Sequence, residues 1–171
     1  MAPVPHVGGG AAAELGAVTE VVSRAGSASG STGNMLWRAT MAWQREVRAA
    51  LEPHGLTHAQ FVLLASSWWL GSIGEEVTQR RLGAHAGVDE MTTSQVVRRL
   101  EAAGLLRRAP SEHDARARVV AVTDAGREAL APALRDVEAV DAAFFGALGS
   151  GEAPFRDALG VLVGRTSTAA G

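Results

Sequence analysis

The sequence predicts a mainly α-helical protein with a small β-hairpin: a winged helix-turn-helix lobe joined to a further helical region. Three observations predict it. From Asn34 onward, apolar residues recur at helical spacing between capping residues and glycines. Two short helical segments, 79–86 and 90–103, are separated only by a tight turn at Gly87. Directly after them, 105–122 reads as a strand, a polar turn through "PSEHDA" and a returning strand.

Each element follows from local chemistry. Residues 1–33 are rich in Gly, Pro, Ala and Ser and predict a flexible extension with at most one short helix. Asn34 is placed to cap a helix reaching about Glu52, with Leu36, Thr40, Trp43, Val47 and Leu51 along one stripe. Pro53, His54 and Gly55 end it. Thr57 and Gln60 then form a capping box, with Leu56 and Phe61 spaced as a hydrophobic staple. That helix should run to about Leu70 and bury Phe61, Leu64, Ala65 and Trp68.

A loop at 71–74 leads to Thr78, which caps the first helix of the helix-turn-helix. Asp89 caps the second, and Gly104 closes it. On that second helix Thr93, Val96, Val97 and Leu100 share one face, whereas Met91, Gln95 and Arg98 share the other, with Ser94 and Arg99 at the flanks. The hairpin follows, with strands at 105–109 and 116–122. Thr123 caps a long helix to about Leu148, in which Pro132 should kink or disturb one turn. "GSG" at 149–151 breaks the chain before a last helix to about Val163, and 165–171 should be a flexible tail.

Charge supplies the functional hint. The 171 residues carry a net charge of −2, which alone does not suggest nucleic acid. The distribution does: residues 78–118 hold eight arginines against five acids, while the flanks hold four against six and four against seven. A basic middle between acidic flanks is a local footprint for a polyanion. Without cysteine there is no disulfide, thiolate metal site or thiol switch. No apolar run is long enough to span a bilayer, and the N-terminus lacks the order of a signal peptide. A cytoplasmic protein is expected. An outward polar and basic helix face suits the major groove. Arg116 and Arg118, on one face of a thin ribbon, suit the narrow and negative minor groove beside it.

With these residues in place, the chain resembles the MarR family of winged helix-turn-helix regulators. The family's wing signature is Asp, any residue, Arg, five residues, Leu, Thr, two residues, Gly. Asp114, Arg116, Val122, Thr123 and Gly126 fall at those spacings, with Val for Leu, and "RRLEAAGLLRR" at 98–108 resembles the link from recognition helix to wing. The resemblance covers about 34–164. It implies a DNA-binding lobe at 71–122 and dimerisation helices at 34–70 and 123–164. It implies a homodimer on a pseudo-palindromic double-stranded operator, usually as a repressor, released by a small aromatic or amphipathic effector. Arg116 takes the place of the wing arginine and Asp114 that of the acid orienting it. The absent cysteines argue against the peroxide-sensing mechanism of some relatives. Phe61, Val62 and Leu63 stand where urate-responsive relatives place an acid, which argues against urate.

The candidate DNA-binding residues are therefore Met91, Thr92, Ser94, Gln95, Arg98, Arg99, Asp114, Arg116 and Arg118. Of Arg107 and Arg108, strand alternation lets only one face DNA. Trp37, Trp43, Trp68 and Trp69 are candidates for an effector pocket, although tryptophans at helical spacing also suit a core or a dimer interface. Phe144, Phe145, Leu148, Phe155, Leu159 and Leu162 are the candidate dimer interface. His54 and His58 lack the further ligands a metal site needs, so no metal or cofactor is expected. Ser111, His113 and Asp114 are too close in sequence for a catalytic triad, and no enzymatic activity is expected. Two other readings remain open: a winged-helix module that binds proteins without binding an operator, and a metal-dependent regulator.

Overall fold

The computed structural model describes residues 31–111 and 118–168, the side chains of 165–168 excepted. Its order is helix α1 (Thr32–Leu51), a 3₁₀ turn (Glu52–His54), α2 (His58–Ser72), α3 (Gln79–Ala86), α4 (Glu90–Ala102), strands β1 (Leu106–Pro110) and β2 (Arg118–Val122), α5 (Asp124–Gly146), a second 3₁₀ turn (Gly149–Gly151) and α6 (Glu152–Thr168). The chain divides into two units, Met1–Trp43 and Gln44–Gly171. The division falls inside α1.

Within the second unit, α2 is the central element. It packs against α3, α4, α5 and β2. Its capping box is formed as the sequence predicts: the Gln60 amide NH donates to Thr57 Oγ1 at 3.3 Å, and the Thr57 amide NH donates to Gln60 Oε1 at 2.9 Å. Leu63, Leu64 and Leu70 of α2 are buried with Val47, Leu51, Leu82, Val97, Leu100, Leu106 and Val120. Burying side chains of this size contributes about 1.5–3 kcal/mol each before the cost of ordering the chain.

Several expected boundaries and faces shift. The first helix begins at Thr32, so Asn34 lies inside it and does not cap it. On α2 the buried stripe is Phe61, Leu63, Leu64, Ser67 and Leu70; Ala65 is half-buried and Trp68 is exposed. The physical reason is Ser67, whose hydroxyl donates to the Leu63 carbonyl at 2.8 Å and so needs no water. A serine satisfied in this way can occupy the inward position, and Trp68, the next residue round the helix, falls on the outer side. Strand β1 starts one residue later than expected and includes Pro110, at the edge of a two-stranded sheet where its missing NH costs nothing. Helix α5 is continuous through Pro132. Helix α6 runs to Thr168, beyond the expected end at Val163 and into the expected tail.

Candidate nucleic-acid interface

The helix-turn-helix is built from two capped helices and one left-handed turn. Thr78 Oγ1 accepts from the Arg81 amide NH at 3.2 Å, which starts α3. Gly87 ends α3 at φ 65°, a conformation that suits glycine. Two residues later, an Asp89 carboxylate oxygen accepts from the Thr92 amide NH at 2.9 Å and starts α4. That hydrogen bond holds the Asp89 carboxyl below the usual carboxylate range.

Helix α4 has two unlike faces. Thr93, Val96, Val97 and Leu100 are buried, and Thr93 Oγ1 donates to the Asp89 carbonyl at 2.8 Å. The opposite face is open. Glu90, Met91, Ser94, Gln95 and Arg98 line one surface groove of about 440 Å³. Neither Gln95 nor Arg98 spends its side chain on a hydrogen bond or ion pair with another described residue. Arg99 is exposed at the flank, and Thr92 is exposed with its NH bound to the Asp89 cap.

The wing is fixed to this helix by charge and by backbone. β1 and β2 are antiparallel, with Leu106 opposite Val122, Arg108 opposite Val120 and Pro110 opposite Arg118. Arg108 Nε donates to Glu101 Oε2 at 2.7 Å, tying the wing to the end of α4. This contact lowers the Glu101 pKa and engages Arg108, while Arg107 on the other side of the strand stays exposed. Arg118 is exposed at the start of β2 and shares a shallow groove with Glu101, Arg108 and Pro110. Asp114 and Arg116, the signature residues of the wing tip, lie outside the described residues.

Two connections were not legible beforehand. The Val120 amide NH donates to the Val77 carbonyl at 2.8 Å, and Thr78 bridges Val119. The chain entering α3 thus bridges the open edge of β2, a contact that the sequence does not indicate. Its sole signal was buried Val77 between Glu76 and Thr78, too short for a strand pattern. The second is the joint at Thr123. Its Oγ1 donates to the Gly104 carbonyl at 2.7 Å and accepts from the Gly126 amide NH at 3.0 Å, and its own NH donates to the Leu105 carbonyl at 3.1 Å. One residue therefore joins the end of α4, the wing and the first turn of α5.

Trp68 and Trp69, both on α2, have different surroundings. Trp68 lines a cleft of about 420 Å³ with Glu75, Val77, Arg107, Val119 and Arg127 among its other walls. Trp69 instead stacks on His85 of α3, with ring centroids 5.0 Å apart. Trp37 and Trp43 belong to the other unit. His54 Nε2 lies 2.7 Å from an Asp136 carboxylate oxygen, and His58, half-buried, has its pKa lowered by desolvation and then by Arg48. Among the described residues no group of three His, Cys, Asp or Glu side chains could hold a metal ion. Of the candidate interface residues, Phe144 and Phe145 meet edge to face at 5.2 Å, and Phe145 lies 6.4 Å from Phe155. Leu148 and Leu162 are exposed.

Known proteins with this arrangement are regulators. The MarR family model matches residues 54–117. The HTH-type transcriptional regulator YdcH of Bacillus subtilis is 43% identical over 117 residues, covering 68% of this chain and 80% of that one. A MarR family transcriptional regulator from Rhodococcus sp. RHA1 superposes with a TM-score of 0.72 at 26% identity, covering 81% of this chain and 96% of the other. The Mycobacterium tuberculosis MarR family protein Rv2887 in complex with DNA gives a TM-score of 0.59 at 30% identity, with 77% and 96% covered. The same protein in complex with salicylic acid gives 0.57 at 32% identity, with 77% and 95% covered.

Proposed function

The chain belongs to the MarR family of transcriptional regulators, and from that premise we propose that it is a homodimeric repressor that binds a pseudo-palindromic operator and leaves it when a small aromatic or amphipathic molecule binds. The observation that carries the DNA reading is the open face of α4. A helix held by four buried side chains on one side presents Met91, Ser94, Gln95 and Arg98 on the other, with no described partner for Gln95 or Arg98. Gln95 and Arg98 face base edges. Arg118, and Arg116 beyond it, follow the minor groove. The protein acts in the cytoplasm, where the DNA is, and has no catalytic role; no helix among the described residues is long and apolar enough to cross a membrane.

The cleft beside Trp68 supports the effector reading. It has an aromatic wall at Trp68 and lies against the wing strand β2; Arg107 is placed to meet an anionic group, while Arg127 is held by the Val122 carbonyl and Asp124, and Glu75 and Glu76 line the same cleft. A molecule there shifts the protein only if it binds the operator-competent and free arrangements with different affinity. The test is titration of the protein against duplexes from the intergenic DNA beside its own gene, in a salt series, with and without salicylate. Log affinity should fall linearly with log salt, by about 0.9 per phosphate neutralised. Salicylate should weaken binding at fixed salt. Salt-independent or absent DNA binding would favour a protein-interaction module instead.

The dimer is proposed on the apolar side chains near the C-terminus. Leu148, Val161, Leu162 and Val163 are exposed, beside the Phe144–Phe145–Phe155 cluster. An isologous contact covers the same patch on both copies. Leu162 is 51% exposed, so Leu162→Asp leaves the monomer's own packing largely intact. Sedimentation should show the variant shifted from dimer to monomer, and its operator affinity should fall in step. A Leu162→Asp protein that stays dimeric places the interface elsewhere.

A further inference from the structure

Met91 is 73% exposed, more than any other large apolar side chain among the described residues. A single exposed apolar residue is ordinary on a protein surface. Its company is not. Met91 shares one groove with Ser94, Gln95 and Arg98, and it is the second residue of α4. In helix-turn-helix docking, the N-terminal residues of the recognition helix meet base edges. At 1.5 Å per residue, Met91, Gln95 and Arg98 span about 10 Å of one helix face, roughly three base-pair steps of about 3.4 Å.

The acids at this end sharpen the assignment. Asp89 caps the helix with its carboxylate, and Glu90 follows in the first turn. Two carboxylates make this helix end a poor site for a phosphate, which leaves the base edges as what its side chains can read. The base edges of the major groove carry one apolar group, the thymine C5-methyl. A methionine is unbranched and polarisable and conforms to such a group.

Resting on the operator reading above, we infer that Met91 is a specificity residue that packs on a thymine methyl, one helical turn from an adenine read by Gln95 and about two turns from a guanine read by Arg98. The amide of Gln95 matches adenine N6 and N7, and the guanidinium fork of Arg98 matches guanine O6 and N7. Each half-site then contains these three bases within about four positions.

The experiment starts by enriching binding sites from a random duplex pool with the full-length wild-type protein. The thymines of the enriched half-site are then replaced one at a time by deoxyuridine, which keeps every hydrogen bond and removes only the methyl. At one thymine, wild-type affinity should fall about three- to fivefold, as expected for one buried methyl. Met91→Ala should bind the thymine duplex about that much more weakly and no longer distinguish thymine from uracil there. Its melting temperature should match wild type, because the side chain is exposed. An enriched half-site in which uracil is tolerated at every thymine overturns this inference alone. Uracil sensitivity that survives intact in Met91→Ala assigns the methyl to another residue and overturns it too. A pool from which nothing is enriched overturns both this inference and the operator reading.

Discussion

Gly126→Ala should destabilise the protein by about 3 kcal/mol, lowering its melting temperature by about 6–12 °C. A Cβ at Gly126 would overlap the Leu105 carbonyl oxygen and stand 2.9 Å from Val122 Cγ1. Neither neighbour can move freely. Leu105 O already accepts from the Thr123 NH, and Val122 is paired in the sheet with Leu106. The first turn of α5 must therefore lift away from the wing, and the bonds made by Thr123 lengthen with it. Gly71→Ala is the control: a Cβ there meets nothing within 4 Å, and Gly71 lies in α2. Alanine should be neutral or stabilise there by up to about 1 kcal/mol. Thermal unfolding of the two variants side by side checks both. A Gly126→Ala protein as stable as wild type would mean that the α5–wing contact is looser than described.

Arg98→Ala should weaken operator binding by about 1–3 kcal/mol, roughly 5- to 150-fold, and relax preference at one base position. Arg98 is exposed on the groove-lining face of α4 and forms no ion pair with another described residue, so removing it leaves no buried acid stranded. The loss should appear in binding and not in stability. Arg118→Ala provides the contrast. If the wing holds Arg118 against the phosphate backbone at the groove edge, all sequences should weaken alike and the salt slope should flatten by about 1. Competition titrations with single-base variants of the operator, at two salt concentrations, separate the two behaviours. Arg98→Ala with unchanged base preference would remove Arg98 from the reading face.

Much of this molecule was legible in its sequence, for identifiable reasons. The caps at Thr57, Thr78, Asp89 and Thr123 were readable because capping acts within three residues, and the structure forms all four. The two faces of α4 were readable because a 3.6-residue period separates Thr93, Val96, Val97 and Leu100 from Met91, Gln95 and Arg98. What stayed hidden was set at a distance. Ser67 is polar by composition, yet it is buried with its hydroxyl bonded back to Leu63, while Trp68 beside it is exposed. Glu101 and Arg108 are seven residues apart across a turn, where sequence does not indicate that they meet. Trp69 and His85 lie on different helices, and only the packing of α2 on α3 brings their rings together.

The joint at Thr123 also sets a gear ratio. Helix α5 is 23 residues long, about 34 Å at 1.5 Å per residue. Its first turn is tied to the end of α4 and the entry to the wing by two hydrogen bonds from Thr123, whose Oγ1 also caps the helix. There is no slack at that end, so α5 behaves as a crank whose short arm is the reading head. Displacing its far end, near Phe144 and Phe145, by about 3 Å turns it by about 5° over that length. A rigid helix and joint would pass the same turn to α4. Nothing in the lobe need open or unfold for the reading face to tilt out of register, and a movement the size of one side chain, at the far end of the crank, is enough to produce it.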